Sequence, residues 1–147
     1  MASQTLTILT AAEIEACLSK ALLAERQAVA DYDAHAQACD RAHIREALEA
    51  LRDVEREHAL RLALRIEALG GTLPSQSPAP QPLGDTPAAW LAQDLQGEQW
   101  AIVEYARLVA GIVDDDETAE LMAELLLDEI RHAGWLKSSL RALQASE

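Results

Sequence analysis

Two Glu-x-x-His segments, Glu55 to His58 and Glu129 to His132, fall where a helix should be apolar. Around the first, Ile44, Leu48, Leu51, Leu62, Ile66 and Leu69 recur at spacings of three and four, and continuing that spacing through the gap lands on Glu55 and His58. A carboxylate and an imidazole thus hold successive core positions on one helical face. Around the second, Leu121, Leu125, Leu136 and Leu140 frame Glu129 and His132 in the same way. An ionised carboxylate is costly to bury without a positive partner. Two such placements restrict the chain to helices that meet around something cationic.

The remaining stripes carry the same anomaly. Leu18, Leu22, Val29, Tyr32 and Ala36 enclose Glu25, and Leu91, Leu95, Ile102, Tyr105, Val109 and Ile112 enclose Glu98. Each half of the chain places a Tyr seven residues after its first Glu and a Glu-x-x-His 30 or 31 residues after it. Neither half closes a site alone; two halves facing each other do.

Helix boundaries follow from local chemistry. Thr10 with Glu13 forms a capping box, and the helix it opens is expected to end near Asp40. A second helix runs from about Ala42 to Leu69, stopped by Gly70-Gly71. Thr86-Pro87 caps and begins a third, and the acids Asp114 to Asp116 open a fourth that ends near Leu143. Residues from about 72 to 85 are rich in Pro, Ser and Gln and do not suit a helix interior. A helix of about 28 residues is ~42 Å long, and an extended linker of about 15 residues reaches ~50 Å. The linker therefore spans the bundle and makes the second and third helices parallel. The expected fold is all-α: one four-helix domain over 1–147 with a long crossover between helices 2 and 3. With half the residues hydrophobic, no Phe and few β-branched residues, composition agrees.

Four Glu and two His meeting in a core have a direct chemical reading. Two divalent ions balance four carboxylates, and neutral imidazoles add ligands without charge. One Glu from each of two helices and Glu-x-x-His from the other two is the arrangement of di-iron and di-manganese carboxylate centres. A salt-bridge cluster of the same six residues would leave net negative charge buried, since no Lys or Arg lies on the stripes. Tyr32 and Tyr105 read either as core residues or as hydroxyls bonded to the metal-binding carboxylates. His35 and His43, near a helix end and turn, read as solvated or capping, and Trp90, Trp100 and Trp135 as packing or interface residues. Cys17 and Cys39 lack metal or redox spacing and read as free thiols.

The formal net charge of −13 argues against nucleic acid and anionic membranes and attracts cations. No stretch approaches the roughly 18–20 apolar residues of a membrane span. With Glu13 and Glu15 where a signal peptide would be apolar, a cytoplasmic protein is expected.

From Glu13 to Leu140 the chain resembles the ferritin-like superfamily, and within it the bacterioferritins. Three stretches carry the resemblance: Glu25 to Tyr32, Glu55 through His58 to Gly71, and Leu125 to Leu136. The resemblance implies that Glu55 and Glu129 bridge two irons, that Glu25 and His58 complete one, and that Glu98 and His132 complete the other. It implies oxidation of Fe²⁺ by O₂ or H₂O₂ for iron storage or detoxification, with Mn as the other metal choice, in a homo-oligomer (a dimer or a shell). Three departures qualify it. The position where bacterioferritins carry their haem-ligating Met is Arg56, so haem is not expected. Too few residues follow Leu143 for the family's fifth helix, and the two helix-hairpin turns are shorter than usual. Rubrerythrins share the ligands but add a Glu where this chain has Ala101. The rival readings are another di-metal enzyme (a manganese catalase, a peroxidase or an oxidase of an organic substrate) and a non-catalytic metal-binding helical module.

Overall fold

The computed structural model describes residues 7–146. Four helices follow in order: α1 (Ala11–Ala38), α2 (Ala42–Ala68), α3 (Pro87–Gly111) and α4 (Asp116–Ala145). Their ends are those that local chemistry dictates. Thr10 and Glu13 exchange the two bonds of a capping box, at 3.2 and 3.3 Å. Thr86 accepts from the Ala89 amide ahead of Pro87, and Asp115 accepts from the Thr118 amide. Gly70, at φ +81°, takes the left-handed cap after α2. Gly71 is needed for closeness instead: a Cβ there would lie 2.6 Å from the Glu15 carboxylate and 2.9 Å from Ile66.

α1 packs on α2 and α3, and α4 packs on α3 and α2, so the pairs α1/α4 and α2/α3 stand on the diagonals of a square bundle. Cross-helix bonds set the directions. Tyr32 on α1 reaches Glu98 while Glu25 receives Tyr105, so α1 and α3 are antiparallel. His132 meets Glu55 while Arg65 meets Thr118, so α2 and α4 are antiparallel too. With α1 and α2 joined by a tight turn, α2 and α3 run the same way. The chain between them returns along α1 as a strap. Arg26 donates to the carbonyls of Pro74 and Gln76 at 2.7 and 2.9 Å, and Gln27 donates to that of Ala79 at 2.9 Å. Covered on both sides, Arg26 through Ala30 are all partly buried, a pattern that no two-sided helix shows.

The apolar core comes in two parts. One includes Leu18, Leu22, Leu62, Ile66, Leu108, Met122 and Leu125; the other includes Ala36, Ile44, Leu48, Leu51, Leu91, Leu136 and Leu143. On every helix the acids and histidines singled out on the apolar stripes lie between these two sets, so they form a polar waist between two apolar layers.

Several expectations from periodicity need correction: Leu69, the cap residue after α2, is exposed, and Leu95 and Leu140 are only half-buried. On α3 the inward positions are Ala101 and Leu108, with Ile102 and Val109 only half-buried. Both series fit spacings of three and four between Glu98 and Ile112, and only the neighbours decide which side faces in. Val29 is likewise half-buried, and lies beside Ser77 and Pro78 of the strap. The reading of His35 as solvated or capping is also overturned. His35 is 1% exposed, its Nδ1 lies 2.8 Å from Asp94 Oδ2, and its ring stacks on Trp90 at 6.0 Å. Its partners sit on α3, which the antiparallel packing brings opposite. Burial pushes the Asp94 carboxyl up to about 6, against the pull of His35. His43 is exposed, as is Trp100; Trp135 is half-buried and Trp90 is buried.

Candidate metal centre

All six anomalous residues of the sequence are buried at the waist. They fall into two sets of potential ligand atoms, Glu25, Glu55, His58 and Glu129 in one, Glu55, Glu98, Glu129 and His132 in the other. Within each set the atoms lie within 4.8 Å of one another. Glu55 and Glu129 belong to both. Each comes from a Glu-x-x-His turn, one on α2 and one on α4, while Glu25 and Glu98 come from the flanking α1 and α3.

The imidazoles point inward through Nδ1. His58 Nδ1 lies 2.9 Å from Glu129, 3.4 Å from Glu55 and 3.5 Å from Glu25. His132 Nδ1 lies 2.8 Å from Glu55, 3.5 Å from Glu98 and 3.7 Å from Glu129. Four buried atoms of the cluster have no hydrogen-bond partner: Glu55 Oε2, His58 Nδ1, Glu98 Oε2 and Glu129 Oε1. Orphaned buried acceptors are costly in a finished core. Here they face one another, which is the arrangement of donors that shared cations would satisfy.

The two tyrosines answer the alternatives left open by sequence. Tyr32 donates to Glu98 at 2.6 Å and Tyr105 donates to Glu25 at 2.5 Å. Each half of the chain thus steadies the first Glu of the other half. Burial first, then the adjacent carboxylates, raises both phenols well above their ordinary range, so they stay neutral donors. Sequence reasoning missed one further residue. Asp128 Oδ2 lies 2.9 Å from His58 Nε2, so it orients the ring and leaves Nδ1 for the site. The repeat hides it, because the corresponding position in the first half is Val54, and among the described residues nothing takes that part for His132.

Charge crowding governs protonation. Burial, then the charge of Glu25, pushes Glu129 up to about 12 and Glu55 well above the carboxylate range. Burial acts on Glu98 in the same direction, but bonds from Glu129 and His132 outweigh it and leave that group lowered. Burial disfavours the His58 cation; Glu129, Glu25 and Glu55 more than compensate, and its pKa is raised. His132 is raised in the same way, chiefly by Glu98. Without metal, protons supply the positive charge that four close carboxylates require.

A family model for ferritin-like domains matches residues 15–146 of this sequence. The chain belongs to the ferritin-like family. The solved structures that this ferritin-like chain resembles agree in fold. A dodecameric, bacterioferritin-related thioferritin of Bacteroides fragilis matches with a TM-score of 0.84 at 22% identity, over 94% of this chain and 90% of that one. The bacterioferritin of Rhodobacter capsulatus, described with a metal-free dinuclear site and haem iron, matches with a TM-score of 0.84 at 24% identity, over 91% and 87%. A bacterioferritin of Mycobacterium tuberculosis matches with a TM-score of 0.83 at 21% identity, over 90% and 86%. No curated protein is similar enough in sequence to count as a relative. Among the described residues no helix is long and apolar enough to cross a membrane.

A cavity of about 140 Å³ lies against the cluster between α1 and α3. Glu25, Glu98, Glu129 and both tyrosines line its inner part, and Asp31, Gln81, Gln93 and Trp100 line the rest.

Proposed function

We propose that this ferritin-like chain is a ferroxidase. It binds two Fe²⁺ at the waist and oxidises them to Fe³⁺ with O₂ or H₂O₂, for iron storage or detoxification. The observation that carries the reading is the sharing of Glu55 and Glu129 by two ligand sets whose buried atoms are otherwise orphaned. Glu25 and His58 complete one metal position, Glu98 and His132 the other. Two Fe²⁺ bring four positive charges to four carboxylates, replacing the protons that burial retains on Glu55 and Glu129. Each Fe²⁺ gives up one electron. O₂ takes two electrons and two protons to become H₂O₂, or H₂O₂ takes the same to become two waters. The redox chemistry belongs to the metal; the chain supplies ligands, spacing and fixed charge. Tyr32 and Tyr105 hold the Glu98 and Glu25 carboxylates in place, and Asp128 fixes the tautomer of His58.

Cavity size favours this reading over oxidation of an organic substrate. Sites for drug-sized ligands occupy roughly 300–1,000 Å³, whereas 140 Å³ admits a cation, a few waters and a diatomic or triatomic oxidant. The chain is taken to work as one domain in a homo-oligomer, as its dodecameric neighbour does. Leu60 and Leu64, more than half exposed on α2, suit contact between copies.

Anaerobic titration with Fe²⁺, followed by O₂ and stopped-flow absorbance, tests the reading. Saturation at two Fe²⁺ per chain and oxidation far faster than in buffer are expected. Two bound ions without acceleration would move the assignment to manganese chemistry, which metal content after native purification and peroxide turnover would then establish. No stoichiometric binding would leave a helical module without a metal centre.

A further inference from the structure

The cavity that reaches Glu25, Glu98 and Glu129 opens between α1 and α3, and one strap residue crosses it. The Gln81 amide donates to Asp31 Oδ1 at 2.8 Å, and its side-chain Nε2 donates to Asp31 Oδ2 at 2.9 Å. Its Oε1 accepts from Gln93 Nε2 at 3.3 Å. Asp31 is on α1 and Gln93 on α3, so Gln81 ties the two walls of the cleft together from outside. The local sequence, Pro80-Gln81-Pro82, suits this duty. Neither proline has an amide hydrogen, so Gln81 carries the one backbone donor of the three, and Pro82 restrains it to an extended conformation.

Asp31 is the other half of the contact. The residue is 6% exposed, and its carboxylate accepts a third bond, from Gln27 Nε2 at 3.0 Å. Every one of these donors is a neutral amide. Buried carboxylates are ordinarily held by cations or by full hydrogen bonding, and two of the three bonds here come from a segment that belongs to no helix. Lifting Gln81 would strip those two bonds and leave a nearly bare carboxylate at the cleft, in a chain of net charge −13. A divalent cation is what such a carboxylate would take in exchange.

We infer that Gln81 is the bar of a gate across the α1–α3 cleft, and that Asp31 is both its latch and the first carboxylate an entering divalent cation meets. The inference rests on the metal-centre reading and adds the route by which metal arrives. Gln81 controls the rate of entry, and the six residues at the waist control how much metal is held. Removing the Gln81 side chain therefore speeds uptake and leaves the final occupancy unchanged.

The test uses the full chain, stripped of metal, with Co²⁺ as the probe, whose visible absorption reports carboxylate and imidazole ligation in stopped flow. Wild type is expected to take up two Co²⁺ per chain. Gln81→Ala keeps the backbone bond to Asp31 but loses the side-chain bond to that carboxylate and the one from Gln93. It should reach the same end point about tenfold faster, the effect of losing a hydrogen bond to a charged group. In that background, adding Asp31→Asn should slow uptake several-fold, because the Asn oxygen can still accept from the residue-81 amide while the charge is removed. Amide exchange gives a readout without metal: the Gln81 N–H should be protected in wild type and exchange faster in Asp31→Ala. An unchanged uptake rate in Gln81→Ala, with two Co²⁺ still bound, would overturn the gate and leave the metal centre standing. A double variant no slower than Gln81→Ala would remove the cation-relay part of the inference. Failure of wild type to bind two ions would remove the centre, and the gate with it.

Discussion

Asp128 shows how one side chain outside the ligand set can decide the behaviour of a ligand. Its bond to His58 Nε2 directs the ring's other nitrogen to the cluster. Asp128→Asn should weaken metal binding about 10- to 100-fold, the usual cost of losing such a partner. Calorimetric titration of both forms checks this, and equal affinities would return Asp128 to the role of a surface acid. Protonation supplies a second prediction. Glu55 and Glu129 are raised, as are His58 and His132, so across neutral pH the metal-free fold binds more protons than the unfolded chain. By linkage, stability must then fall as pH rises. Metal-free protein should melt at a lower temperature at pH 8 than at pH 6. Metal uptake should also release protons and tighten over the same interval, which titration in buffers of different ionisation enthalpy would show.

At the level of elements, helix ends carry more than local stability. Asp115 caps α4 through the Thr118 amide and also pairs with Arg65 of α2 at 3.1 Å, joining the start of one helix to the end of another. Burial opposes the Asp115 carboxylate, but bonds from Thr118 and the charge of Arg65 prevail and its pKa is lowered. Asp115→Ala should cost about 1–2 kcal/mol, at the upper part of the range for lost N-caps. Denaturant melts at neutral pH would measure it, and the difference from wild type should shrink under acid conditions that protonate the aspartate. Gly70 makes a contrasting case. With φ at +81° and open space around it, Gly70→Ala should cost roughly 1 kcal/mol from backbone conformation alone.

Across the whole molecule, the arrangement is two helical hairpins that each hold half of a site. The apolar layers supply cohesion, while the waist stores repulsion that cations relieve. Ligands that bind only the folded state stabilise it by mass action, by ~2.7 kcal/mol at a hundredfold excess over Kd. Saturating Fe²⁺ under anaerobic conditions, or Mn²⁺, should therefore raise the melting temperature by several degrees. Glu129→Ala should abolish most of that rise, because it removes a carboxylate common to both ligand sets. A full rise in that variant would show that metal binds elsewhere.

The amino-acid sequence by itself determined the four helices, their caps, the parallel α2 and α3, and the six waist residues. They rest on helical periodicity, capping chemistry, the cost of acids on apolar stripes, and, for the parallel pair, the reach of the linker against the length of a helix. What it left open depended on distance between elements. Glu98 to Ile112 admits two inward faces, and only the packed neighbours select Ala101 and Leu108. His35 looks like a residue at a helix end until α3 brings Asp94 against it, 59 positions away. Whether Tyr32 and Tyr105 were core residues or carboxylate donors turned on which helix each one faced. Asp128 was hidden because the repeat offers Val54 in its place, and Asp31 because its partner is a glutamine in a segment without regular structure. Periodicity records which side of a helix is buried, and only the tertiary structure supplies what that side is buried against.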